Sequence, residues 1–210
     1  MMNDLFLLPQ PQLNDALFRD ILVARRSIRK FSNIPLSLQE LSQLLFSANG
    51  RLFDASGRGC RTAPSAGSCY PINTLLFVHN VETMPVGLYD YRHDRHALKL
   101  EIPQDLSVEL MHACLCQPWV RDAAVVFLLT GLYERIIHRY GDRSVPYCFL
   151  EAGHIAQNLL LAATSLNLGS VPIGAFTEET LQPLLHLPIT REKVLYVIPV
   201  GKPLTYDDGR

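Results

Sequence analysis

No CxxC pair occurs among the five cysteines, Cys60, Cys69, Cys114, Cys116 and Cys148. Cys114 and Cys116 stand too close together to open a zinc motif, and the odd count excludes a fully paired disulfide framework. No metal site is expected. A charged, apolar and small-residue leader is missing at Met1, and the apolar runs fall well short of the ~18 residues a membrane span needs. The expectation is a soluble, cytoplasmic protein with reduced thiols and no membrane partner. A surplus of either charge is also lacking. The 19 Lys and Arg residues against 20 Asp and Glu leave a net charge of -1, which argues against a nucleic-acid surface. There is no GxGxxG, and the spacing of Gly169 and Gly174 only mimics a phosphate loop. Ala175-Phe176 follows Gly174 where Lys-Ser/Thr would be needed, so neither a Rossmann nor a Walker reading holds.

What remains is an ordinary globular composition, with 48% hydrophobic and 19% charged residues, on a chain long enough to bury a core unaided. "NDALFRDILVARRS" (14–27) reads as a helix with Leu17, Ile21 and Leu22 on one face and Asn14 as its cap. "SLQELSQLLFSANG" (37–50) is a clearer helix, opened by a Ser37–Glu40 capping box and stopped at Gly50. Residues 51–71 show no periodicity, and such a stretch inside a compact domain suggests a site. "INTLLFVHN" (72–80) reads as a strand, "GLYDY" and "ALKL" as a hairpin, "SVELMHACLC" as a helix. "AAVVFLLTG" (123–131) is an apolar run of strand length, hence a central strand. "FLEAGHIAQNLLLAATSLNLG" (149–169), apolar almost all round, reads as a buried helix ended by Asn167 or Gly169. "SVPIGAF" (170–176) is extended, "TEETLQPLLHL" a short helix capped by Thr177, and "KVLYVIPVGKP" (193–203) a last strand. The mixture predicts a single α+β domain over residues 1–210.

Several groups of residues have the chemistry of a site. "RRSIRKF" (25–31) crowds Arg25, Arg26, Arg29 and Lys30 around Ser27; it suits a phosphate, or it answers the dipole at a helix C-terminus. "PSAGSCYP" (64–71) is either a plain connection or a rigid backbone edge that touches a flat ligand. Glu151, His154, Gln157 and Asn158 fall at i, i+3, i+6 and i+7, and polar groups on a buried helix need a ligand, a second subunit or loops as partners. No histidine stands four residues after His154, so a metal pair is not expected. The backbone at Gly174 and Ala175 can face a ligand, and Lys202 gains interest only beside the arginines of 25–29.

In chain order, "RRSIR", "PSAGSCYP", "EAGHIAQNLLLAA" with "LNLGSVPIGAF", and "VIPVGKP" resemble the nitroreductase superfamily of flavin enzymes, and within it the SagB-type dehydrogenase branch. The resemblance runs from about residue 20 to 203. It implies a nitroreductase-like α+β fold: a central, mostly antiparallel sheet flanked by helices, in a homodimer whose FMN sites lie at the interface. Carried across, Arg25 and Ser27 bind the FMN phosphate, Arg26 the ribityl or phosphate region, and Arg29 lies near the pyrimidine edge. Pro64, Ser65, Ala66 and Gly67 come from the partner subunit. Gly174 and Ala175 hydrogen-bond flavin N5, and Lys202 closes the phosphate site. The implied activity is ping-pong hydride transfer from NAD(P)H through the flavin to a small acceptor such as a nitroaromatic, a quinone or an unsaturated compound. In azoline-oxidising members a Lys-Tyr pair precedes "EAGH". Here that place holds Arg139-Tyr140, the candidate catalytic pair, and Arg is a poor proton-transfer group. The alternatives are a peptide-azoline dehydrogenase and a flavin-binding protein without turnover.

Overall fold

The computed structural model describes residues 5–9, 18–53, 59–187 and 192–204. Its frame is a seven-stranded, wholly antiparallel sheet. In spatial order the strands are β1 (Leu5–Leu7), β6 (Ala97–Ile102), β5 (Gly87–Arg92), β4 (Ile72–Val78), β7 (Val125–Leu132), β9 (Glu192–Gly201) and β8 (Gly169–Ser170). A separate hairpin, β2 (Arg51–Phe53) with β3 (Gly59–Arg61), occupies part of the stretch expected to lack structure.

β7 is central because both of its faces are covered, which is why its sequence is continuously apolar rather than alternating. Val125, Phe127 and Leu129 pack with Leu76 and Ile198 beneath α2 (Leu38–Asn49) and α6 (Ser144–Ser165). Val126 and Leu128 pack with Leu75, Phe77 and Val197 beneath α3 (Ser107–Ala113), α4 (Pro118–Asp122) and α7 (Glu178–Leu184). The two-residue alternation of a strand thus feeds two cores. The remaining helices are α1 (Phe18–Ala24) and α5 (Glu134–Tyr140).

α2 starts as its capping box predicts: the Ser37 hydroxyl accepts the Glu40 N–H at 3.2 Å, and Glu40 Oε2 accepts the Ser37 N–H at 2.7 Å. The long helix α6 begins earlier than its apolar stretch suggests, at Ser144, because Pro146 in a first turn loses no intrahelical bond. It ends at Ser165, and Asn167 takes the left-handed conformation just beyond (φ 57°). It is not buried all round: Val145, Phe149 and Leu150 are exposed. α1 has no buried residue, and Leu22 is exposed; Asn14 and Leu17 lie outside the described residues. Among the described residues no helix is long and apolar enough to cross a membrane.

Candidate functional site

Two groups of candidate residues form, at opposite ends of the sheet. The first is built where residues 25–32 thread past the ends of β8 and β9. Ser27 bridges Ser170 in parallel, and Ile28 N–H donates to Ser170 O at 3.0 Å. Ser32 N–H donates to Lys202 O at 2.8 Å, and Phe31 bridges Pro203. The three motifs "RRSIR", "GSVPIGA" and "GKP" therefore share one edge. Gly169 and Gly201 serve this packing directly: a Cβ at Gly169 would come within 2.7 Å of the Ile28 side chain, and one at Gly201 within 3.0 Å of the Phe31 ring.

The cations in this cradle have different employment. Arg26 Nη1 donates to Val23 O at 2.7 Å and to Arg25 O at 2.8 Å, so it answers the C-terminal carbonyls of α1. Arg29 lies over the Trp119 ring, 5.7 Å from its centroid. Lys202 Nζ stands 3.6 Å from Glu40 Oε1, the same carboxylate that closes the capping box. Half-buried Arg25 has no carboxylate within ion-pair distance among the described residues, and Ser27 is exposed. Gly174 and Ala175 are exposed; a Cβ at Gly174 would meet nothing within 4 Å, and Ala175 O accepts from Gln117 Nε2 at 3.3 Å.

The second group surrounds the loop 62–71. Gly67 takes a left-handed conformation (φ 58°), which a side chain would strain. A Cβ there would also lie 2.6 Å from the Tyr140 hydroxyl and 2.9 Å from Arg139 Cζ. Arg139 Nη1 donates to Gly67 O at 3.1 Å, so the Arg-Tyr pair sits directly on the glycine of "PSAGS". The Tyr140 ring meets Tyr147 edge to face at 4.9 Å. Behind the loop, Ser65 Oγ accepts the Tyr70 N–H at 2.8 Å, and Arg135 donates to Tyr70 O at 3.2 Å and to Asn73 Oδ1 at 2.6 Å.

Of the four polar residues on α6, the helix turns only two toward these elements. Glu151 is buried and Asn158 donates to Thr62 O at 3.4 Å, whereas His154 and Gln157 are exposed. Seven residues are almost two full turns, so Glu151 and Asn158 share a face; positions three and six residues on rotate away from it. Loops are thus the partners of this face in the chain. Burial pushes the Glu151 carboxyl above its ordinary value, while hydrogen bonds from the Ser65 hydroxyl and Ile72 N–H, and the charges of Arg61 and Arg135, pull it back; Oε2 has no partner. A raised carboxyl binds its proton more tightly folded than unfolded, so its contribution is fully present below the unfolded value of 4.5 and is lost as pH rises through the folded value. Wild type is therefore expected to lose stability relative to Glu151→Gln as pH climbs above 4.5, read as urea midpoints across that range. Parallel curves for the two proteins would show that this carboxyl does not titrate as described.

The two groups are far apart in one chain. Val125 pairs with Val200 and Ser170 with Val200 at the cradle end; Ile72 pairs with Gly131 at the loop end. At ~3.3 Å per residue, the six steps from Val125 to Gly131 separate them by about 20 Å. Sequence reasoning missed Arg135 and Arg61 behind the loop, since neither belongs to a motif and Arg135 reaches its partners Tyr70 and Asn73 only through the fold.

A sequence profile described as "Nitroreductase family" matches residues 22–202, which contain both groups. This chain belongs to the nitroreductase family. The provisionally named nitroreductase MJ1384 of Methanocaldococcus jannaschii is 36% identical over 201 residues, 96% of this chain and 98% of that protein. Among solved structures, a provisionally named nitroreductase from Ralstonia eutropha JMP134 superposes with a TM-score of 0.83 at 25% identity, over 97% of this chain and 91% of that one. Another from Desulfovibrio desulfuricans, solved in complex with FMN, gives a TM-score of 0.66 at 22% identity, over 93% of this chain and 92% of that one. The fold is nitroreductase-like, and the family is one of oxidoreductases.

Proposed function

We propose that this nitroreductase-family protein is an FMN-dependent oxidoreductase acting as a homodimer, with each flavin held by the cradle of one chain and the loop of the other. The observation that carries the reading is the shared edge: β8, β9 and residues 25–32 bring Arg25, Ser27 and Lys202 to one end of the sheet, and the bare backbone of Gly174–Ala175 continues along the same edge just past Ile173, which bridges Val197. The residues fit the group: among the described residues Arg25 is a cation without an anion, Ser27 an exposed hydroxyl, and Gly174–Ala175 a strip of open backbone. The FMN complex of the Desulfovibrio desulfuricans relative supports the same cofactor here.

FMN would supply a two-electron carrier that accepts hydride from a nicotinamide and returns it to a small acceptor. The chain's own residues do the rest. Arg25, Ser27 and Lys202 anchor the phosphate, and the N–H groups of Gly174 and Ala175 orient the ring. Arg29 sets positive charge near its pyrimidine edge. Tyr140, whose hydroxyl has no hydrogen-bond partner among the described residues, holds or releases a proton. Arg139 keeps its charge and fixes Gly67 O, which makes it a positioning residue and favours the reductive direction over azoline oxidation.

The second copy follows from the ~20 Å separation, which one chain cannot close. A two-fold, isologous contact sets the loop end of each chain against the cradle end of the other. Apolar residues are exposed at both ends: Phe18, Leu22 and Val23 on α1, and Val145, Phe149 and Leu150 on α6. Mixing tests this. Arg25→Ala breaks the cradle and Gly67→Leu the loop, so each pure dimer loses both sites. Refolding the two together at equal amounts is expected to restore flavin to about a quarter of the sites, because half the dimers are mixed and each mixed dimer has one intact site. No recovery would mean that cradle and loop do not meet across an interface.

A further inference from the structure

A cavity of about 650 Å³ lies at the loop end of the sheet and not in the flavin cradle. β3, the inner side of the 69–73 segment, β5 and α5 wall it in, and its size suits a small ligand. Its lining holds four guanidiniums, Arg51, Arg61, Arg92 and Arg135, and three carboxylates, Asp90, Asp94 and Glu192.

The acids in the lining are already engaged. Asp90 pairs with Arg92 at 3.2 Å, and Asp94 lies 3.8 Å from its neighbour Arg95. Glu192 accepts from Asn73 Nδ2 at 2.8 Å and from the Thr130 hydroxyl. Arg51, Arg61 and Arg135 have no carboxylate within ion-pair distance among the described residues. Among the described residues their hydrogen bonds and stacking contacts are neutral: Arg61 donates to Ile72 O at 3.2 Å and stacks 4.7 Å from the Tyr70 centroid, Arg135 donates to Tyr70 O and Asn73 Oδ1, and Arg51 stacks on Phe53 at 4.8 Å. Glu151 acts on Arg61 and Arg135 only across a longer gap. Arg61 and Arg135 repel one another. Burial, and after it the charges of Arg61, Arg135 and Arg92, push the His93 imidazole down to about 3, so it stays neutral while Asn49 Nδ2 donates to its Nε2 at 3.0 Å. Arg51 and Arg135 are exposed and Arg61 is half-buried, and an anion entering the recess offsets the repulsion between Arg61 and Arg135.

We propose that this cavity is a second ligand site, separate from the flavin cradle, that takes a compact polyvalent oxyanion through Arg51, Arg61 and Arg135. Planar pairs of oxygens, as in carboxylates and phosphates, match the guanidinium fork. The proposal uses no property of the flavin and stands apart from the redox reading.

Calorimetry on the full-length protein saturated with FMN tests it, with inorganic pyrophosphate and citrate as probes. One anion per chain is expected, bound more weakly as salt rises. Tighter binding of pyrophosphate points to a phosphorylated ligand, and tighter binding of citrate to a polycarboxylate. Arg135→Gln is expected to weaken the bound probe at least ~10-fold, since it removes one charge-assisted contact. Arg51→Gln, on the exposed hairpin where folding is not at stake, is expected to weaken it about threefold or more. Arg121→Gln, an exposed cation on α4 outside both the cradle and the cavity, leaves it unchanged. The proposal falls if neither probe binds the wild type, if Arg51→Gln and Arg135→Gln bind as wild type does, or if affinity drops as much with Arg121→Gln.

Discussion

Arg25→Ala combined with Lys202→Ala is expected to weaken FMN binding at least ~10-fold, each cation supplying a charge-assisted contact of about 1.5–3 kcal/mol. The two do not contribute equally. Lys202 shares its charge with Glu40 at 3.6 Å, so a phosphate gains less from it and its removal frees a carboxylate beside the cradle. Arg25 has no such partner among the described residues. Most of the loss is therefore expected in the Arg25→Ala single variant, measured by titrating apoprotein with FMN and following flavin fluorescence. Raising salt is expected to shrink the difference, because the contact lies at a half-buried edge. An unchanged FMN affinity in the double variant would place the phosphate elsewhere.

Tyr140→Phe is expected to lower kcat at least ~100-fold while leaving bound FMN in place, the usual cost of removing a positioned acid or base. The substitution keeps the ring that packs against Tyr147, so the fold does not depend on the hydroxyl. That hydroxyl lies where a Gly67 side chain would have to go, on the loop proposed to meet the partner's flavin. Arg139→Lys is expected to act differently. It weakens the grip on Gly67 O and so raises KM and loosens the loop before it lowers kcat. Stopped-flow separation of flavin reduction from reoxidation tells the two apart. Wild-type turnover in Tyr140→Phe would remove Tyr140 from the chemistry.

Local signals in the sequence were read correctly where one element decides the outcome. The Ser37–Glu40 box started α2, and the unbroken apolar run of β7 meant two covered faces. The order of the motifs disclosed the family. What was not legible depends on contacts between distant residues. β1, α5 and the β2–β3 hairpin are short and carry no periodicity of their own. The exposed side of α6 is as apolar as its buried side, and composition cannot separate a core face from an uncovered one. The meeting of Arg139 with Gly67 spans 72 positions, and the pairing of Lys202 with Glu40 spans more; only the sheet brings them together. The sequence suggests that "PSAGS" is a rigid edge, yet the anchoring of Ser65 by Glu151 and of Tyr70 by Arg135 appears only in three dimensions.

The central claim is that this nitroreductase-family chain holds a flavin and passes hydride through it. The most direct test is the visible spectrum of the purified protein reconstituted with FMN, followed under anaerobic conditions as NADH or NADPH is added. The expected result is a bound flavin whose visible band bleaches and returns when an acceptor such as a quinone is supplied. A protein that takes up no FMN would contradict the cradle, and bound FMN that no nicotinamide bleaches would contradict the enzyme.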